Sequence, residues 1–395
     1  MRISSNTLAR SYLAVTQRNQ AELLRTQIQL ATGRRVNRPS DDPGAAVRIE
    51  ALTRGLKTHE VHEQNAEAAR RRLSIEDEAL GQVSGILDRM RELTIRANTA
   101  VLDDVSRAGI ADEVRQLSEG LVQLGNSKDG RGEYLFAGFR VGQPAFARQG
   151  DEVVYQGDQG RRQLQIGESR QIADGDPGDK IFMSVNPGRT GVLVTADPSN
   201  TGTGVVGAYA LTGPAPAGDL TVSFTTASDY DVIDSGGSIV ASGTFVAGDS
   251  LNVAGISVPL QGSPAAGDEF AIAVAPRQSI FQIAGDLVAV LEDSDAGPAA
   301  AARRQNGFNA ALNALDGGLA NVSSVRTDVG ARLAAAEDQR DINDGFRLQL
   351  ESTLSTIRDV DYAEAISKLE AQLAGLEVAQ RSYAQSRQLS LFDFL

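Results

Sequence analysis

Apolar residues at alternating gaps of four and three gather at the two ends of the chain, where most proteins fray into solvent. Near the C-terminus, Tyr362, Ile366, Leu369, Leu373, Leu376, Gln380 and Tyr383 share one helical stripe. At the N-terminus, Leu8, Tyr12 and Val15 begin a similar stripe, and Leu24 and Ile28 continue it after a polar break at Asn19. A lone amphipathic helix is marginal because nothing covers its apolar face, so both ends call for a partner in this chain or another.

The same reading predicts a first helix over Asn6 to Thr32, stopped by Gly33. A second begins at Pro43, with Asp42 as its N-cap and Asp41 adding negative charge where the helix dipole favours it. Leu73, Leu80, Val83, Leu87 and Met90 form one further stripe, and Ile110, Val114, Leu117, Leu121 and Leu124 another. Both read as core faces of a bundle. From Gly130 the glycines multiply and Val153 to Ile166 alternates, which reads as hairpins. Eight of the twelve prolines lie between Asp176 and Pro276, among β-type runs at Asp219 to Thr226, Ser238 to Val246 and Glu269 to Val274. Helical periodicity then resumes at Ile280, Ile283, Leu287 and Val290, continues through Phe308, Leu312, Leu315, Leu319 and Val322, and runs to the C-terminus.

The fold class that follows is α+β: a long antiparallel helical bundle or coiled coil made from both chain ends, with small β-hairpins and an inserted β-rich domain. The expected domains are residues 1–40 with 360–395 as a terminal coiled coil, 41–180 with 277–359 as a helical bundle with hairpins, and 181–276 as an outward-facing insert.

Composition narrows the function. The chain has 395 residues, is 41% hydrophobic but only 5% aromatic, and lacks Trp, so its core rests mainly on Ala, Leu, Val and Ile. The absence of Cys removes disulfides and thiolate chemistry. A net charge of -13 argues against nucleic-acid binding by the chain as a whole. Charge is uneven, however: the first fifty residues are Arg-rich, whereas residues 181–276 carry eight acids against Arg189 alone. No apolar run approaches the ~20 residues that span a bilayer, and no signal-peptide core precedes Arg10, so the reading is a cytosolic chain or one exported without a cleaved signal.

Three stretches carry a family resemblance. Arg35-Val36-Asn37-Arg38-Pro39-Ser40-Asp41-Asp42-Pro43-Gly44 resembles the N-terminal signature of the bacterial flagellins, with Val36 and the Pro-Gly pair as departures. Ile357 to Ala365 is similar to that family's C-terminal helix start. Gly132-Glu133-Tyr134-Leu135-Phe136-Ala137-Gly138, with the tail Leu389 to Leu395, is similar to its hook-associated relatives. The resemblance implies a non-enzymatic structural subunit of the flagellum, secreted by type III export and built between hook and filament. Implied partners are identical subunits, a neighbouring hook-associated protein and flagellin, with a cytosolic export chaperone on the C-terminal helix. No cofactor, nucleic acid or membrane insertion is expected. The assembly interface would comprise Leu8, Tyr12, Val15, Arg35, Asn37, Asp41, Asp42, Tyr362, Ile366, Leu369, Leu373, Leu376 and Tyr383. Two alternatives remain: a filament subunit, and a surface-displayed module whose acidic insert binds a glycan or host surface. Leu87 to Leu93 also resembles a flagellin stretch sensed by an innate immune receptor, against the plainer reading of a helix face with paired charges.

Other chemistry is weakly encoded. His59 and His62 are the only histidines and are three apart, which does not fit the zinc-protease helix, so they read as partly solvated helix residues. Asp229 to Asp234 lacks the ligand at Ile233 and the closing Glu of a calcium loop and reads as a hairpin end.

Overall fold

A computed structural model describes residues 5–99, 102–150, 152–186, 192–214, 216, 218–274 and 277–392. Among the described residues, six α-helices and thirteen short strands follow in the order helices, strands, helices. The described chain divides into two compact bodies, one of residues up to 64 together with those from 339 onward, the other of residues 65–338.

The first body contains α1 (Ser5–Thr32), the start of α2 (Pro43–Thr99), the end of α5 (Pro298–Arg358) and α6 (Tyr362–Phe392). Gly33, at φ +69°, ends α1 in the left-handed conformation, as its position after the last periodic residue predicts. Asp42 caps α2 by accepting a bond from the Ala45 N–H at 3.0 Å, and Pro43 occupies the first helical position. Asp41 instead closes the loop before the helix, accepting from the N–H groups of Asn37 and Arg38 at 3.2 and 2.9 Å.

In the second body, Leu73, Leu80, Val83, Leu87 and Met90 of α2 are fully buried with Val114 and Leu121 of α3 (Asp104–Gly125), Ile283 and Leu287 of α4 (Ile280–Glu292), and Leu315 and Val322 of α5. Asp103 and Ser279 cap α3 and α4. The hairpin β1 (Phe146–Gln149) and β2 (Glu152–Tyr155) lays Phe146 against Phe182 and Phe281. Strands β3 (Gln163–Gln165) and β4 (Gln171–Ala173) form a second hairpin, and Asp179–Met183 makes a single π-helical turn.

The acidic insert has its own core. Strands β5 (Val192–Ala196), β8 (Leu220–Phe224), β9 (Asp229–Asp234), β10 (Ile239–Thr244) and β13 (Glu269–Val274) form an antiparallel sheet in the order β10-β9-β8-β13-β5. The strands β6 (Val205–Val206), β7 (Ala210–Leu211), β11 (Ser250–Val253) and β12 (Ile256–Gln261) form a second sheet around β12. Val222, Phe224, Phe270 and Ile272 meet Leu251, Ile256, Val258 and Leu260 between them. The segment Asp229 to Asp234, expected as a hairpin end, is the whole of β9: Val232 points into this core and outweighs the turn preference of the flanking acids.

Candidate assembly surface

Helices α1 and α6 pack antiparallel, with Tyr12 stacked on Tyr383 at 3.9 Å between ring centres and Gly33 beside Tyr362 at the other end. The covered positions on α1 include Tyr12, Thr16, Asn19, Leu23, Thr26 and Leu30, continued by Gly33 just beyond the helix, at gaps of four and three. On α6 they are Ala365, Leu369, Gln372, Leu376, Ala379 and Tyr383. Asn19, read from the sequence as a break, is therefore part of the seam, and Leu24 and Ile28 lie outside it.

The seam is polar or small at half its positions, and the Thr16 hydroxyl and Gln372 carbonyl are buried there without partners. Several large apolar side chains face outward. Leu13, Val15, Leu24 and Ile28 on α1 and Tyr362, Ile366, Leu373 and Val378 on α6 are exposed, most by about half. The C-terminal stripe is thus split lengthwise: Leu369, Leu376 and Tyr383 lie in the seam, whereas Ile366 and Leu373 are exposed and Tyr362, also exposed, reaches Gly33 with its hydroxyl. A stripe chosen by hydrophobicity covers more than one face, and the close-packing edge took the smaller residues because two helices approach more closely there. The side chains of Leu8 and of the tail from 386 onward lie outside the described residues.

The corner between α1 and α2 meets the corner between α5 and α6. Arg34 and Asp359 form an antiparallel bridge, the Arg35 N–H donates to the Arg358 carbonyl at 2.7 Å, and the Val360 N–H donates to the Gly33 carbonyl at 3.0 Å. The Arg35 guanidinium donates to the Ile357 carbonyl at 2.7 Å and lies 3.4 Å from Asp42. Asn37 donates to the Arg34 carbonyl, and Asp41 lies 3.5 Å from Arg25. Backbone bonds to Asp42, led by that from Ala45, hold its carboxyl below the usual range, with Arg35 adding to the effect. Asp361 caps α6 through the N–H groups of Ala363 and Glu364. Sequence reading singled out both halves of this corner, Arg35 to Asp42 and Ile357 to Ala365, but did not pair Gly33 to Arg35 with Arg358 to Val360.

His62, expected to be partly solvated, is buried, and the His59 ring stacks on Phe346 of α5 at 5.6 Å. The cause is the packing of α5 across that face of α2. Among the described residues no three His, Cys, Asp or Glu side chains gather as metal ligands, and no helix is long and apolar enough to cross a membrane.

Residues 3–140 match the family model for the bacterial flagellin N-terminal helical region. The crystal structure of FlgL from Xanthomonas campestris superposes with a TM-score of 0.73 at 30% identity, covering 77% of this chain and 99% of that one. The chain belongs to the flagellar hook-associated protein 3 (FlgL) family. Flagellar hook-associated protein 3 of Escherichia coli is 24% identical over 393 residues, which is 100% of this chain and 99% of that protein. A flagellar junction protein, FlgL of Legionella pneumophila, superposes with a TM-score of 0.70 at 26% identity, covering 79% of this chain and 100% of that one.

Proposed function

We propose that this chain is a structural, non-enzymatic subunit of the bacterial flagellum, set at the junction of hook and filament. Its terminal helices carry the polymer contacts through Leu8, Val15, Tyr362, Ile366 and Leu373, with Arg35, Asn37, Asp41 and Asp42 at the corner, while Tyr12, Leu369, Leu376 and Tyr383, expected to join them, line the intrachain seam that presents that face. The observation that carries this reading is the uncovered apolar face of the α1–α6 pair. Covering each half-exposed Leu or Ile would contribute roughly 1 kcal/mol, so neighbouring copies supply what the pair lacks.

Within this reading the corner pairs set register. Exposed ion pairs contribute only ~0–1 kcal/mol, so Arg35 and Asp42 define geometry more than strength. We further propose three functional parts, 1–40 with 360–395, 41–180 with 277–359, and 181–276 as an outward insert. Secretion through the type III channel suits a chain without disulfides. Before export a cytosolic chaperone covers Ile366, Leu373 and their neighbours; loss of chaperone co-purification on removing residues 360–395 is the expected result.

The test is a deletion strain complemented with the chain. Restored motility and a label confined to the hook–filament boundary in electron micrographs are expected. Long filaments grown from the pure protein would favour the filament-subunit alternative, and loss of adhesion without loss of motility on deleting 181–276 would favour the binding module.

A further inference from the structure

We infer that Phe139 and the arginines around it form a docking knob for the acidic insert of a second copy of this chain. This rests on the self-assembly reading and names a contact outside the terminal helices.

Phe139 is 64% exposed yet fixed. Its N–H donates to Asp158 Oδ1 at 2.9 Å, and the same oxygen accepts from the Gly160 N–H at 2.8 Å. Gly138, at φ +69°, turns the chain so tightly that a Cβ would lie 2.3 Å from the Asp158 carbonyl oxygen. The ring lies over Gly160, where a Cβ would come within 2.1 Å of it. An apolar ring held in solvent by a turn that depends on two glycines has little conformational freedom left to lose on binding.

The charges beside it are asymmetrically exposed. Arg140 is 59% exposed and Arg162 lines the hollow next to the ring, and Arg131, 63% exposed, joins this patch through Glu133, which it shares with Arg162. Their counter-charges are less exposed, Asp158 and Glu133 by 31% and 30% and Asp129 and Asp174 by 5% and 4%. The ion pairs are formed, but solvent meets mainly their guanidinium ends.

The insert presents the complement. Asp229, Asp231 and Asp234 lie on β9, and among the described residues no Lys or Arg pairs with them. Beside them runs β10, the sheet's edge strand, which has no charged residue or proline and leaves Ile239 and Val240 exposed. Edges are normally protected by charge, so an uncharged edge flanked by carboxylates that accept only neutral bonds, from Thr226, Ser242 and the Gly236 and Ser238 N–H groups, fits an apolar knob flanked by arginines. Knob and edge are different patches of one chain, so the contact is head-to-tail and can propagate around a ring.

The test replaces Phe139 with the photo-crosslinker p-benzoylphenylalanine in the full chain, co-expressed with a differently tagged copy in the deletion strain. Immunogold labelling first locates the chain, which tests the junction reading separately. Irradiation is then expected to join the two tagged copies, with adducts mapping to residues 229–244. Asp229→Lys with Asp231→Lys and Asp234→Lys should lower the yield by about fivefold or more, and adding Arg131→Glu and Arg140→Glu should restore it. Correctly placed chain whose adducts map elsewhere, or whose crosslinking ignores the charge reversal, would overturn the inference.

Discussion

Glu76 is the residue whose environment departs most from solution. Burial against α5, reinforced by the nearby Asp176 carboxylate, pushes its carboxyl up to about 8, while Arg332 and Arg72 oppose the shift. Its Oε1 accepts from the Asp176 N–H at 3.1 Å, and Oε2 has no partner. The folded value exceeds the ordinary 4.5, so between those limits the native state holds a proton that the unfolded chain has released. The stability from this group is therefore fully present below about pH 4.5 and is lost as pH rises through about 8. Glu76→Gln keeps the Asp176 bond and removes the titration. Thermal melts from about pH 5 to pH 9 should show the variant gaining on the parent as pH rises, by at most about 1.4 kcal/mol for each pH step of one and a few kcal/mol in all. Parallel curves would show that the carboxyl is ionised throughout.

At the scale of elements, the corner after α1 depends on Gly33. Alanine there would need a left-handed backbone and would bring its Cβ to 2.9 Å from the Tyr362 hydroxyl. Gly33→Ala is expected to cost about 1–2 kcal/mol, and Gly33→Asn less, since Asn tolerates that conformation. Chemical denaturation followed by circular dichroism measures both. Asp42→Ala removes the α2 cap and should cost ~1 kcal/mol. Charge reversal at Arg35 or Asp42 should weaken assembly while the helical content of the monomer stays nearly unchanged; polymers that form normally from both variants would remove the register role.

For the whole molecule, two kinds of apolar substitution should separate. Ile366→Ser with Leu373→Ser lies on the uncovered face and should abolish complementation of motility while the isolated chain melts as before. Leu369→Ser with Leu376→Ser strikes the α1 seam and should loosen α6 itself, seen as faster amide exchange there. The insert also tests as a separable part. The Val185 N–H donates to the Gln278 carbonyl at 3.0 Å, so the chain leaves for the insert and returns at nearly one point. Replacing residues 187–276 with a short Gly-Ser linker should leave the bundle folded, at the cost of the Asn306 and Asn309 bonds to Val206.

The order helices, strands, helices, the stop at Gly33, the start at Asp42–Pro43 and the buried stripes on α2 and α3 were all legible in the chain. Each depends on interactions within a few residues or on a periodicity that burial enforces. Strands β8, β10 and β13 of the insert were legible as β-type runs, but β9 was not, because its acids resemble a turn until Val232 meets a core assembled from distant strands. Tertiary structure alone decided which edge of the terminal stripe faces inward. Hydrophobicity marks residues that will be covered, whereas the partner's shape decides which are covered now, and here close helix approach selected Thr26, Asn19 and Ala365 over Leu24, Ile28 and Ile366. The corner pairing of Gly33 to Arg35 with Arg358 to Val360 likewise joins segments more than three hundred residues apart, a contact that no local pattern encodes.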